Sequence, residues 1–160
     1  MHIKLGYPVV CQDYIDWLND KDVTHYLAGT FGEWDLSALH AYVNRMVEHS
    51  IFRGIYADGV HVGNVKAGPI SRRHKRAAIG IMIGRQDMWG QGIGTRAIGA
   101  MVLLCAKQGL HSLTAGIIEG HFGAIRAFEK AGFHRVGIFH QSRVLQGEWR
   151  NELSFERVLP

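Results

Sequence analysis

The chain has 160 residues, room for one sizeable core and no second domain, so one domain spanning 1–160 is expected. Apolar residues make up 47% and charged ones 20%, which excludes a disordered chain, and no stretch reaches the ~18–20 apolar residues of a membrane span. The net charge of +4 is unevenly placed: residues 11–58 carry eight acidic and three basic side chains, residues 66–157 six acidic and fourteen basic.

Two cysteines, Cys11 and Cys105, are too few for a disulfide framework. No basic segment followed by an apolar run opens the sequence, so the expected compartment is the cytoplasm.

In chain order, the pattern first predicts a helix over Gln12–Asn19 and a longer one over Leu36–His49, with Leu36, Leu39, Val43, Met46 and Val47 on one face. Residues 52–57 and 60–68 read as a hairpin about Asp58-Gly59, a strong turn dipeptide. A basic connection, 72–76, leads into an apolar strand, 77–83. A helix follows over Ile93–Lys107, with Ala97, Ile98, Met101, Leu104 and Cys105 inward and Gly109 stopping it. A strand over 113–118, a helix over 124–131 and a closing hairpin of 135–144 with 149–158 about Gln146-Gly147 complete the chain. The sum is α/β with a mixed sheet.

Trp89-Gly90-Gln91-Gly92-Ile93-Gly94-Thr95, between the strand 77–83 and the helix from Ile93, is the most informative stretch. Its glycines let a ligand approach the backbone, and the following helix offers unpaired N–H groups and its positive dipole end to phosphate. A Walker A loop needs Gly-Lys-Ser or Gly-Lys-Thr where this chain has Gly94-Thr95-Arg96. A dinucleotide fingerprint needs Gly-x-Gly-x-x-Gly early in a βαβ unit, whereas here the spacing is Gly-x-Gly-x-Gly, past the middle of the chain.

Downstream, Ala124-Ile125-Arg126-Ala127-Phe128-Glu129-Lys130-Ala131-Gly132-Phe133 reads as a short helix ending at a glycine cap. With Ile79-Gly80-Ile81-Met82-Ile83-Gly84 and the glycine-rich turn, it resembles the GNAT superfamily of acyl-CoA-dependent N-acetyltransferases, on the bacterial branch that includes ribosomal-protein and amino-sugar acetyltransferases. Residues 14–20 and 23–27 are similar to that branch's opening helices, so the resemblance covers nearly the whole chain.

The resemblance implies a single GNAT-like domain: a mixed, mostly antiparallel sheet of six to seven strands flanked by about four helices. It implies acetyl-CoA as cosubstrate, with the backbone of Ile81, Met82 and Ile83 along the pantetheine arm. The N–H groups of Gln91, Gly92, Ile93, Gly94 and Thr95 would hold the pyrophosphate, with Gly90 a further cofactor-binding position. His121, Ala124, Phe128 and Lys130 join the expected cofactor contacts.

Two positions depart from the family. His121 stands where an asparagine often contacts the pantetheine, and Phe128 where a tyrosine is proposed to protonate the departing thiolate. Phe128 donates no proton, so the thiolate leaves unassisted or another donor, His121 or water, serves. A general base must deprotonate a substrate ammonium of pKa ~10. Glu119, ending the strand 113–118 beside the expected thioester, is the leading candidate; Glu33, His25 and His74 rank lower, and Asn151, where the branch often has an aspartate, supplies none.

No metal is expected, because the histidines lack His-Glu-x-x-His spacing and no Cys-x-x-Cys is present. No membrane and no nucleic-acid partner are expected either, since a short basic connection without an RNA-binding motif reads as a solvated loop. The expected partners are acetyl-CoA and a primary amine, on a protein N-terminus, an amino sugar, a polyamine or an amino acid; a second copy of the chain is left open. The acidic first half would face a cationic acceptor, and an acyl-CoA sensor without turnover is the alternative reading.

Overall fold

The computed structural model describes residues 1–27 and 32–160. Along it run β1 (Ile3–Gly6), α1 (Gln12–Asn19), α2 (Lys21–Thr24), α3 (Leu36–His49), β2 (Ile51–Ala57), β3 (Val60–Ser71) and β4 (Arg76–Ile83). A one-turn 3-10 helix at Gln86–Met88 precedes α4 (Ile93–Lys107), β5 (Ser112–Ile118), α5 (Phe122–Lys130), β6 (His134–Leu145) and β7 (Glu148–Val158). The seven strands form one sheet in the order β1-β2-β3-β4-β5-β7-β6, antiparallel at every step except β4 to β5. This is the mixed, mostly antiparallel sheet expected, with five α-helices on its faces.

Local chemistry explains the connections. Asp58-Gly59 and Gln146-Gly147 have φ of 48° and 85°, and of 52° and 80°. Paired left-handed residues make a type I′ turn, whose twist suits a two-residue hairpin. Between β4 and β5 the strands run parallel, so the chain must cross over the sheet, and α4 is that crossover. β1 escaped prediction because four residues are too few to show a period; it is held at the sheet edge by β2, with Ile3 opposite Ala57.

Two apolar cores lie on opposite faces. One joins α4 and α5 to the central strands through Ile98, Met101, Leu113, Phe133 and Phe155. The other packs α1, α2 and α3 through Tyr14, Trp17, Leu39 and Val43 onto Phe52 of β2. The predicted face of α3 is narrower than expected: Leu36 and Val47 are 54% and 49% exposed. At 100° per residue they sit roughly 60° round the helix from the Leu39–Val43–Met46 seam, and only that seam meets the sheet. In α4, Val102 is buried where Leu104 was expected to be, and Leu104 is half-buried.

Gly84, just after β4, ties the two halves together. It is buried, and a Cβ built on it would overlap the Trp17 indole of α1. Gly84→Ala is therefore expected to cost about 1–3 kcal/mol, the ordinary range for overpacking a core, and to lower the midpoint of thermal unfolding by several degrees. A midpoint equal to wild type in a calorimetric scan would show that α1 yields there without cost.

No helix of the described residues is long and apolar enough to cross a membrane.

Candidate active site

β4 pairs with β5 over three residues only, Arg76, Ala77 and Ala78 against Ser112, Leu113 and Thr114. Beyond them the strands part. On its other edge β4 stays paired with β3 as far as Ile83 opposite Gly63. The β3 register slips between Ala67 and Ile70, opposite the point of parting, and such a bulge adds local twist. The result is a wedge in the middle of the sheet, walled by 79–83 and 115–118.

Strand alternation assigns the backbone groups in that wedge. The N–H of Gly84 donates to Val62 O at 2.8 Å, so Met82 and Gly80 also turn toward β3, while Ile79, Ile81 and Ile83 turn toward the opening. Of the three residues expected to offer backbone to a cosubstrate, Ile81 and Ile83 face the wedge and Met82 does not. Ile83 O already accepts the Trp89 indole N–H at 2.9 Å, which pins the following loop to the strand.

In that loop Gly90 and Gly92 have φ of 77° and 76°. Gly92 is the N-cap of α4, and no side chain caps the helix. Its carbonyl takes the N–H of Arg96 at 3.2 Å, leaving the N–H groups of Ile93, Gly94 and Thr95 ahead of the first helical bond. Gln91 points back, donating to Asp87 O at 3.0 Å, so the glycine side of the turn stays clear. Gly94 sits beside Ala127, which places the start of α4 against the body of α5. Lys130 is exposed on the last turn of α5 and Ala124 half-buried on its first, whereas Phe128 is 3% exposed with its ring edge-on to Phe133. Its side chain thus belongs to the core and not to the surface of the loop.

Glu119 follows the last residue of β5 and is exposed. Asn151 of β7 holds it: the Glu119 N–H donates to Asn151 O at 2.9 Å, and Asn151 Nδ2 donates to Glu119 Oε2 at 2.8 Å. Asn151 is itself fixed, because the β6 register slips between Phe139 and Arg143 and frees the N–H of Gln141 to donate to Asn151 Oδ1 at 2.9 Å. Asn151 supplies no base; it orients the carboxylate that can be one. No local pattern signals this contact, since the pair is 32 residues apart and meets only through the β5–β7 register.

His121 is the N-cap of α5, half-buried, its imidazole stacked on Tyr26 with ring centroids 4.3 Å apart and planes within 10°. Burial, then the neighbouring His25, holds its pKa below the usual value. His25 packs edge-on to Tyr26 and meets Gln146 of the closing hairpin at 3.2 Å. Glu33 is exposed, and His74 lies in the turn before β4, at the far end of that strand from the wedge. Cys105 is fully buried and its thiol pushed up to about 11 by that burial, which suits a core residue and not a nucleophile.

His61 is likewise held below the usual value, first by burial. For both histidines the unfolded chain takes the proton first as pH falls, so their contribution leaves stability intact above the unperturbed value of 6.5 and erodes it below. The melting temperature is expected to drop between pH 7 and pH 5 and to drop less in His121→Gln. A His121→Gln profile parallel to wild type would remove His121 from this account.

No group of three or more His, Cys, Asp or Glu among the described residues can hold a metal ion.

A mixed sheet opened between two central parallel strands, above a helix start turned by left-handed glycines, is the frame of the N-acyltransferases. The family described as the acetyltransferase (GNAT) domain matches residues 11–134, and the chain belongs to that family. A Bacillus subtilis (strain 168) protein named "Probable N-acetyltransferase YjcK" is 35% identical over 63 residues, 39% of this chain; the match spans only about a third of the relative, 35% of its length. Among solved structures, a ribosomal L7/L12 α-N-protein acetyltransferase in complex with coenzyme A superposes with a TM-score of 0.88 at 14% identity, over 98% of this chain and 94% of that one. A Vibrio cholerae spermidine N-acetyltransferase in complex with CoA and spermine gives 0.83 at 15%, over 98% and 95%. The microcin C7 self-immunity acetyltransferase, solved with acetyl-CoA and AMP, gives 0.83 at 18%, over 98% and 92%.

Proposed function

We propose that the protein moves an acetyl group from acetyl-CoA to a primary amine by direct attack. The parting of β4 from β5 immediately before the glycine loop carries this reading, because it leaves strand backbone and helix N–H groups free on one continuous path. The N–H groups of Ile81 and Ile83 bond the pantetheine arm as an added strand would, and one of them faces the thioester oxygen. The loop from Gly90 to Thr95 takes the pyrophosphate.

The amine nitrogen attacks the thioester carbon, the C–N bond forms, the C–S bond breaks, and the sulfur leaves as thiolate. Glu119 takes the proton from the attacking nitrogen, directly or through water. With Phe128 in the core, thiolate protonation falls to water or His121. Positioning the two reactants supplies much of the rate.

Calorimetric titration of acetyl-CoA, followed by mass-resolved transfer to pooled amino acids, amino sugars, polyamines and N-terminal peptides, tests the reading. Binding with an acetylated product establishes it. Binding without any product in a broad amine panel favours the acyl-CoA sensor, and absence of binding removes both.

A further inference from the structure

A cavity of about 210 Å³ opens beside Gly80, Ile81 and Met82, on the sheet face covered by α1 and α3. Its walls are apolar and aromatic, with Trp34, Tyr42 and Phe52 packed edge to face in sequence at 5.3 and 6.1 Å. Two buried hydrogen-bond donors stand unpartnered in them, beside a lysine. Asn64 is 4% exposed; its Oδ1 takes the His61 ring at 3.2 Å, and its Nδ2 is buried with no partner among the described residues. Trp34 Nε1 is buried and equally unpartnered, although the Trp34 backbone is clamped at both N–H and C=O by the Asn19 side chain, each bond 2.9 Å. Lys66 crosses Gly80, whose missing side chain lets the lysine stem lie flat there, 3.5 Å from the position a Cβ would take. Its ammonium has no carboxylate within ion-pair distance among the described residues. Burial also holds the Tyr14 and Tyr42 phenols above their usual values, so both remain protonated donors.

A buried donor left without an acceptor costs about 1–3 kcal/mol, so two of them lining one cavity beside a half-buried lysine favour a ligand rich in acceptor oxygen. Among the described residues the cavity wall contains no carboxylate, and residues 28–31 have no ionisable side chain in the sequence. Of the acidic side chains in the first half, Asp20 and Asp35 cap α2 and α3, and Asp13, Asp16, Asp22 and Glu33 are exposed to solvent. A polyamine finds nothing here to neutralise its second charge and meets Lys66, whereas a carboxylate meets a cation and two donors. The volume, below the ~300–1,000 Å³ of sites for drug-sized ligands, suits a body of amino-acid size.

We infer that this cavity seats the non-reacting end of the acceptor, and that this end carries a carboxylate on a small apolar body. The class is an amino acid, or a peptide with an acidic side chain near its N-terminus, and not a polyamine. The inference rests on the acetyl-transfer reading.

The test presents acetyl-CoA-loaded protein with the twenty amino acids, each beside its amide, with spermidine, and with N-terminal peptides whose second residue is aspartate or asparagine. Acetylation of at least one free acid, or of the aspartyl peptide, at least tenfold faster in kcat/KM than of its amide counterpart is expected. Whichever of these is faster identifies the source of the carboxylate. Lys66→Met, which keeps the apolar stem, is expected to abolish that preference while leaving acetyl-CoA affinity within twofold; Asn64→Leu, checked for folding by its melting temperature, weakens the same preference. Spermidine or an amide as the better acceptor overturns the inference and leaves acetyl transfer standing. Turnover of none of these probes also overturns it, and failure to bind acetyl-CoA overturns the reading beneath it.

Discussion

Glu119→Gln is expected to lower kcat for acetyl transfer by about 10²–10⁴-fold, the usual worth of a positioned general base, with acetyl-CoA affinity unchanged. The amide keeps an oxygen for Asn151 Nδ2, so the network from Gln141 through Asn151 survives and only the capacity to take a proton is lost. A gain in rate with pH separates this role from a structural one. As pH rises toward the ~10 of the amine, more acceptor is already neutral, and the gap between variant and wild type narrows. Asn151→Ala removes the orienting donor but not the base, and is expected to cost kcat less than Glu119→Gln does. Stopped-flow or steady-state rates over pH 6–10 decide the matter; a wild-type kcat in Glu119→Gln would leave Glu119 a solvated strand end.

Gly92→Val is expected to weaken acetyl-CoA binding at least tenfold, about 1.4 kcal/mol, in a protein that still folds. Two effects add. The residue must hold φ near 76° at the N-cap, a region where a β-branched side chain costs on the order of 1–2 kcal/mol, and the side chain stands over the N–H groups of the first helical turn. Nothing lies within 4 Å of the position a Cβ would take, so no clash inside the protein accompanies the change, and the loss falls on the ligand. Gly92→Ala carries the strain with less bulk and is expected to fall between. Calorimetric affinity with a parallel melting curve measures both; unchanged affinity in folded Gly92→Val would take the pyrophosphate away from this loop.

The elements were legible because each is written in local chemistry. The α4 helix is marked by its period and by Gly109, and the hairpins by Asp58-Gly59 and Gln146-Gly147 with their forced left-handed turns. The glycine loop was legible for the same reason, since Gly90 and Gly92 are needed where φ is positive. The Asn64 signal was present too, as a polar residue inside an apolar strand, but its meaning depends on neighbours that the strand itself does not name.

By itself the sequence determined the α/β class, the order of the elements from α3 onward, the glycine turn before α4 and the family, because periodicity, turn residues and glycine spacing act over a few neighbours. Only the tertiary structure decided the rest. The wedge exists because β4 and β5 share three pairs and then part, a matter of sheet twist. Asn151 meets Glu119, Tyr26 stacks on His121, and Lys66 and Asn64 join Trp34 around one cavity through strand register and helix packing. Those contacts span tens of residues, and no local rule encodes a distance between side chains that only a folded sheet brings together.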